Sequence, residues 1–99
     1  MASFTDIIQQ NPLVLVDFSA TWCGPCQMLA PILKDLKTHY GEALSIIKID
    51  VDKNNALASS YRVQGVPTLI LFRDGQQVWR QSGVLTVQQL IAVVDPQRA

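Results

Sequence analysis

Residues 13–26 read Leu13-Val14-Leu15-Val16-Asp17-Phe18-Ser19-Ala20-Thr21-Trp22-Cys23-Gly24-Pro25-Cys26. A nearly continuous apolar run leads into the chain's two cysteines, three positions apart. Residues 13–18 have the pattern of a central strand covered on both faces. A long helix begins about the cysteines, and Pro25 is acceptable in its first turn. At a helix start, residues i and i+3 share a face with Cβ atoms roughly 5–6 Å apart, whereas a disulfide needs about 3.5–4.5 Å. A small local adjustment therefore separates dithiol from disulfide. So short a ring constrains little of the unfolded chain, because disulfide stabilisation grows with loop length. The pair is a poor staple and a good switch.

Outward from this stretch, the elements alternate. Before it, Ser3 and Asp6 form a helix-starting box, Phe4, Ile7 and Ile8 give a short apolar face, and Asn11-Pro12 closes the helix. After it, Met28, Leu29, Ile32, Leu33, Leu36 and Tyr40 recur at helical spacing, and Gly41 is a natural stop. Residues 44–51 read as a second strand, parallel to the first because a helix connects them. Residues 54–61 can form a short helix. Two further strands, 68–72 and 77–81, flank Arg73-Asp74-Gly75-Gln76, where Asp-Gly signals a hairpin. Thr86 and Gln89 box the last helix, whose Val87, Leu90, Ile91 and Val94 face the core. This order predicts an α/β fold, a mixed sheet of about four strands with helices on both faces. Residues 1–94 form its single domain, and 95–99 a loose tail.

Composition narrows the function classes. Ninety-nine residues, 48% of them hydrophobic, suffice for one core without further cross-links. Eight basic and eight acidic side chains balance, so neither nucleic acid nor a membrane surface is an expected partner. No apolar run approaches the ~20 residues that span a bilayer, and the N-terminus has no secretory pattern. The default location is the cytoplasm, where a lone cysteine pair is more often catalytic or metal-binding than structural. Structural zinc normally takes four ligands, and besides Cys23 and Cys26 there is only His39, over three turns along the same helix. A site within one chain is not expected, though two chains could share one. No Gly-rich dinucleotide fingerprint is present, so no bound cofactor is expected.

Val16-Asp17-Phe18, Trp22-Cys23-Gly24-Pro25-Cys26, Pro31, Gly65-Val66-Pro67-Thr68, Asp74-Gly75 and Gly83 together resemble the thioredoxin family over essentially the whole chain. The resemblance implies the thioredoxin fold. Three departures stand out: the edge strand that usually precedes the first helix is absent, Ser19 stands where many members carry tryptophan, and Gln27 where a basic residue is usual. The first leaves the 44–51 strand as an edge that could recruit a partner. The others bear on packing and charge near the disulfide.

The resemblance and the residues then assign roles. Cys23, at a helix N-terminus that favours a thiolate, is the attacking thiol; the alternative is an inert structural cysteine. Cys26, one turn in and more buried, is the resolving thiol, and also packs as a small hydrophobe. Asp17 within an apolar strand should have a raised pKa, and the resemblance makes it the proton acceptor for Cys26 through water, with Lys48 nearby. The blander reading is a hydrogen-bonded strand-end carboxylate. Base rates make Pro67 trans, whereas the resemblance makes it cis and facing the disulfide. Val66 would offer backbone groups to an extended substrate, and Trp22, Gly24, Pro25, Gly83 and Val84 would complete a shallow docking patch. For Trp22 the blander reading is core packing, and the two are compatible.

The expected function is protein-disulfide reduction by a monomer, with disulfide-containing proteins as substrates. By resemblance, the oxidised pair is restored by an NADPH-dependent flavoprotein, thioredoxin reductase. One rival reverses the flow, as oxidant or isomerase, against which Gly24-Pro25 speaks by resemblance. Another makes the chain a non-enzymatic clamp on a partner, with dispensable cysteines.

Overall fold

The computed structural model describes residues 3–98. Its elements are α1 (Phe4–Gln10), β1 (Leu13–Ser19), α2 (Gly24–Tyr40), β2 (Ser45–Asp50), α3 (Asn55–Ser60), β3 (Thr68–Arg73), β4 (Gln76–Ser82) and α4 (Val87–Val94). One sheet has the order β2-β1-β3-β4. β1 pairs parallel with β2 and antiparallel with β3, and β3 pairs antiparallel with β4. The mixed four-stranded sheet expected from the sequence is the one observed.

All seven residues of β1 are buried, because it is flanked on both edges and covered on both faces. Its alternation sorts the core into two layers. Leu13 and Leu15 pack with Leu29, Leu33 and Leu36 of α2 and with Leu90 and Val94 of α4. Val14, Val16 and Phe18 pack on the opposite face with Ile8 and Ala58. Asp17 and Ser19 share the parity of Leu13 and Leu15, so both stand on the α2 side.

Local chemistry punctuates these elements. Ser3/Asp6 and Thr86/Gln89 each form a reciprocal capping box, as the spacing predicts. Asp74 and Gly75 both adopt positive φ, 50° and 83°, as a two-residue hairpin matching strand twist requires. Beyond that turn the β3–β4 register shifts between Leu71 and Phe72.

Two expectations are corrected. Met28 is 65% exposed. The buried stripe of α2 is Cys26, Leu29, Leu33, Leu36 and Tyr40, a 3-4-3-4 spacing from which Met28 is offset by one position. The segment after residue 94 is also no loose tail as far as it is described. Asp95–Gln97 form a 3₁₀ turn, the Tyr40 hydroxyl donates to Asp95 Oδ1 at 2.5 Å, and the Arg98 guanidinium lies 5.5 Å from the Tyr40 ring centre. Burial, then the Asp95 bond, pushes the Tyr40 hydroxyl up to about 12. Ala99 lies outside the described residues. Tyr40→Phe is expected to cost about 1–2 kcal/mol, since it strands a carboxylate bond, and thermal melts would show a drop of several degrees.

Candidate active site

The sequence hands β1 to α2 through Ala20-Thr21-Trp22, and this short connection places both cysteines at the start of a 17-residue helix. Cys23 is its N-cap, with extended backbone, and its Sγ accepts the Cys26 N–H at 3.1 Å. Gly24 and Pro25 occupy the first turn. Proline there removes only an amide that would have had no helical partner. Cys23 and Cys26 form a disulfide with Cα atoms 5.3 Å apart. Both are buried and pack with Ala20, Val51 and Val66. The Gln27 amide donates to Thr21 O at 3.3 Å, a polar tie across the approach loop.

On the other side of the sulfurs stands the loop before β3. The Val66–Pro67 peptide is cis, and Val66 O lies 3.6 Å from Cys23 Sγ. Gly83, at φ 96°, donates its N–H to Pro67 O at 2.9 Å, which straps the end of β4 over the proline. Thr68 Oγ1 bonds Gly65 O at 2.6 Å and meets Ser82 Oγ at 2.9 Å, fixing the same corner. Val84 follows, 40% exposed.

Trp22 is 70% exposed, so the core-packing reading fails for it. Its Nε1 donates to Asp52 Oδ2 at 2.9 Å. Asp50 Oδ1 in turn accepts from the amides of Asp52 and Lys53, shaping the turn after β2. A cavity of about 130 Å³ lies between Trp22, Val51, Val63, Gln64, Gly65 and Val66. Asp52, Val63 and Gln64 were not legible as site residues. The one signal was position, at the ends of β2 and α3 nearest the cysteine loop.

Asp17 is 2% exposed, and its Oδ1 has no hydrogen-bond partner. Burial pushes its carboxyl up to about 6, and Lys48, its register partner on β2, pulls in the opposite direction. Asp17 lines a cavity of about 340 Å³ with Ala30, one helical turn past Cys26, and with Lys48. A second cavity, of about 230 Å³, lies against Ser19, Ala20, Thr21, Lys48 and Asp50. Lys48 thus borders both, and Ala20 in the second packs on the cysteines. Among the described residues, no three His, Cys, Asp or Glu side chains gather as metal ligands.

A disulfide across the first turn of a long helix, faced by a cis-proline loop, is matched by one family model, Thioredoxin, over residues 1–96. The chain belongs to the thioredoxin family. It is 50% identical over 91 residues to a thioredoxin-like protein of Synechocystis sp., covering 91% of this chain and 87% of that one. It is 52% identical over 83 residues to the thioredoxin of Mycobacterium tuberculosis, covering 83% and 72%. Among solved structures, a mutant thioredoxin from Halobacterium salinarum superposes with a TM-score of 0.87 at 41% identity, covering all of this chain and 88% of that one. As a thioredoxin-family member with a redox-active Cys23–Cys26 pair, the chain is a thiol-disulfide oxidoreductase that exchanges dithiol for disulfide.

Proposed function

We propose that the chain reduces disulfides of other proteins, with Cys23 attacking and Cys26 resolving. The observation that carries this reading is the Cys26 N–H directed at Cys23 Sγ from the first turn of α2. Once the pair is reduced, the same amide and the helix dipole favour a Cys23 thiolate. The thiolate attacks one sulfur of the substrate disulfide, forming a mixed disulfide and releasing the other sulfur as thiolate. Cys26 then gives up its proton, attacks the Cys23 sulfur and frees the substrate's second thiol. The chain is left oxidised, and two electrons have passed to the substrate.

Asp17 suits the role of proton acceptor in the second step. Its raised pKa places its affinity for a proton near neutrality, and the cavities sharing Lys48 give room for water between strand and helix. Trp22, Gly24, Pro25, Val66, Pro67, Gly83 and Val84 form the docking surface, with Val66 offering backbone groups to an extended substrate. The partner that restores the dithiol is a thioredoxin reductase drawing on NADPH, the setting is the cytoplasm, and the chain works as a monomer with no bound cofactor.

Equilibration against graded thiol buffers, followed by thiol trapping, tests the direction of flow. The expected reduction potential is near the value of about −270 mV typical of thioredoxin. A value of about −180 to −120 mV would make the chain an isomerase or oxidant instead.

A further inference from the structure

Among the described residues β2 forms one edge of the sheet, with no strand paired on its outward side. Val51 N donates to Ser19 O at 2.9 Å, so odd-numbered residues of this strand turn their backbone groups toward β1. Period-two geometry leaves Ile46, Lys48 and Asp50 directing theirs outward. Register with Leu15 and Asp17 puts the Ile46 and Lys48 side chains on the α2 face.

The 340 Å³ cavity opens on that same face, between the edge and α2. Ala30, Leu33 and Ile46 supply apolar wall, Lys34, Lys37 and Lys48 supply positive charge, and Asp17 carries the unpartnered oxygen. Lys37 is committed locally, its Nζ donating to Gly41 O at 2.8 Å and Leu44 O at 2.7 Å. That bond also closes one end of the edge. Among the described residues neither Lys34 nor Lys48 enters a salt bridge.

We propose that this edge and cavity dock an extended segment of another protein, with an apolar side chain flanked two residues away on each side by acidic ones. A strand added to β2 would find outward amides and carbonyls at Ile46 and Lys48 and the outward amide of Asp50, whose carbonyl already accepts from the Asn54 backbone and side-chain amides, each at 3.0 Å. Its alternate side chains, about 6.7 Å apart, would fall on the α2 face. One fills the apolar cavity, and its acidic neighbours meet Lys34 and Lys48. Charge complementarity selects this occupant over a second copy of the chain. Pairing β2 with its own copy would bring Lys34 and Lys48 of both chains to one seam, and like charges across a strand pair destabilise it. The contact is small, so the complex is a transient one.

The test uses the full chain, ¹⁵N-labelled, and a capped peptide Thr-Glu-Val-Leu-Val-Glu-Thr, whose symmetry suits either strand direction. The expected result is amide shifts and slowed hydrogen exchange at Ile46, Lys48 and Asp50. Binding should weaken at least tenfold when both peptide glutamates become lysine, and roughly fivefold in Lys34→Glu, a surface change on α2. Three results would each overturn the proposal. They are no protection at about 2 mM peptide, perturbation centred on Cys23 and Val66 instead, or β2 protection that rises with protein concentration in the absence of peptide. The last would assign the edge to a second copy. All three readouts are independent of the redox chemistry.

Discussion

Cys23→Ser is expected to abolish reduction of an exposed protein disulfide such as those of insulin, with turnover at the uncatalysed background. Cys26→Ser should behave differently. It should attack once and stall as a stable 1:1 mixed disulfide, visible as a mass increment that a reducing agent removes. The asymmetry comes from the first turn of α2. Cys23 is the cap toward which the Cys26 N–H points, so its thiolate is the stabilised one. Cys26 lies inside the turn and directs its own amide at Cys23, so it lacks that stabilisation, whereas burial against Ala20, Val51 and Val66 is common to both sulfurs. If Cys23→Ser were the variant that trapped substrate, the two roles would be reversed. If the double serine variant kept full partner function in cells, the chain would be a clamp in that role and not a catalyst.

Asp17→Asn should raise stability at pH 7–8 by about 3 kcal/mol, a rise on the order of 10 °C in thermal midpoint, and change it little at pH 4. The carboxyl moves from 3.8 when unfolded to about 6 when folded, because burial penalises its charged form more than Lys48 favours it. Between those values the folded chain binds more protons than the unfolded one. Stability from this group is therefore full below about 3.8 and lost as pH rises through about 6. Asparagine keeps the shape and has no charge to desolvate. Identical pH profiles for both chains, by urea unfolding, would show that the carboxylate is not strained by burial. The same variant should slow release of the mixed disulfide by on the order of tenfold, with the first attack unchanged. A stability gain coupled to a loss in one chemical step is the signature of a buried group held for function.

The fold was legible where one residue pattern admitted one structure. Residues 13–18, apolar but for Asp17, have no polar face to present to water, the pattern of a central strand, and Asp74-Gly75 supplies the positive φ that a tight hairpin needs. Cys23 and Cys26 were legible because their spacing and the helix start state the chemistry together. What escaped was set by tertiary geometry. Met28 fits a helical stripe on periodicity alone, and only the placement of the sheet shows that Cys26 takes its position. The Tyr40–Asp95 bond joins residues 55 apart, which no local pattern announces. Asp52 reaches Trp22 across 30 residues for the same reason.

The anchoring of residues 95–98 on Tyr40 has a practical consequence for handling the molecule. Tyr40 ends a 17-residue helix whose first turn holds the disulfide, so the two are separated by about 25 Å along its axis. Anything grafted beyond Arg98, whether a dye, a surface linker or a second domain, starts its path from a fixed point at the far end of that rod. The sulfurs would then face away from the attachment. Tethered to an electrode or a bead by this end, the chain would present its reactive pole to solution in one orientation.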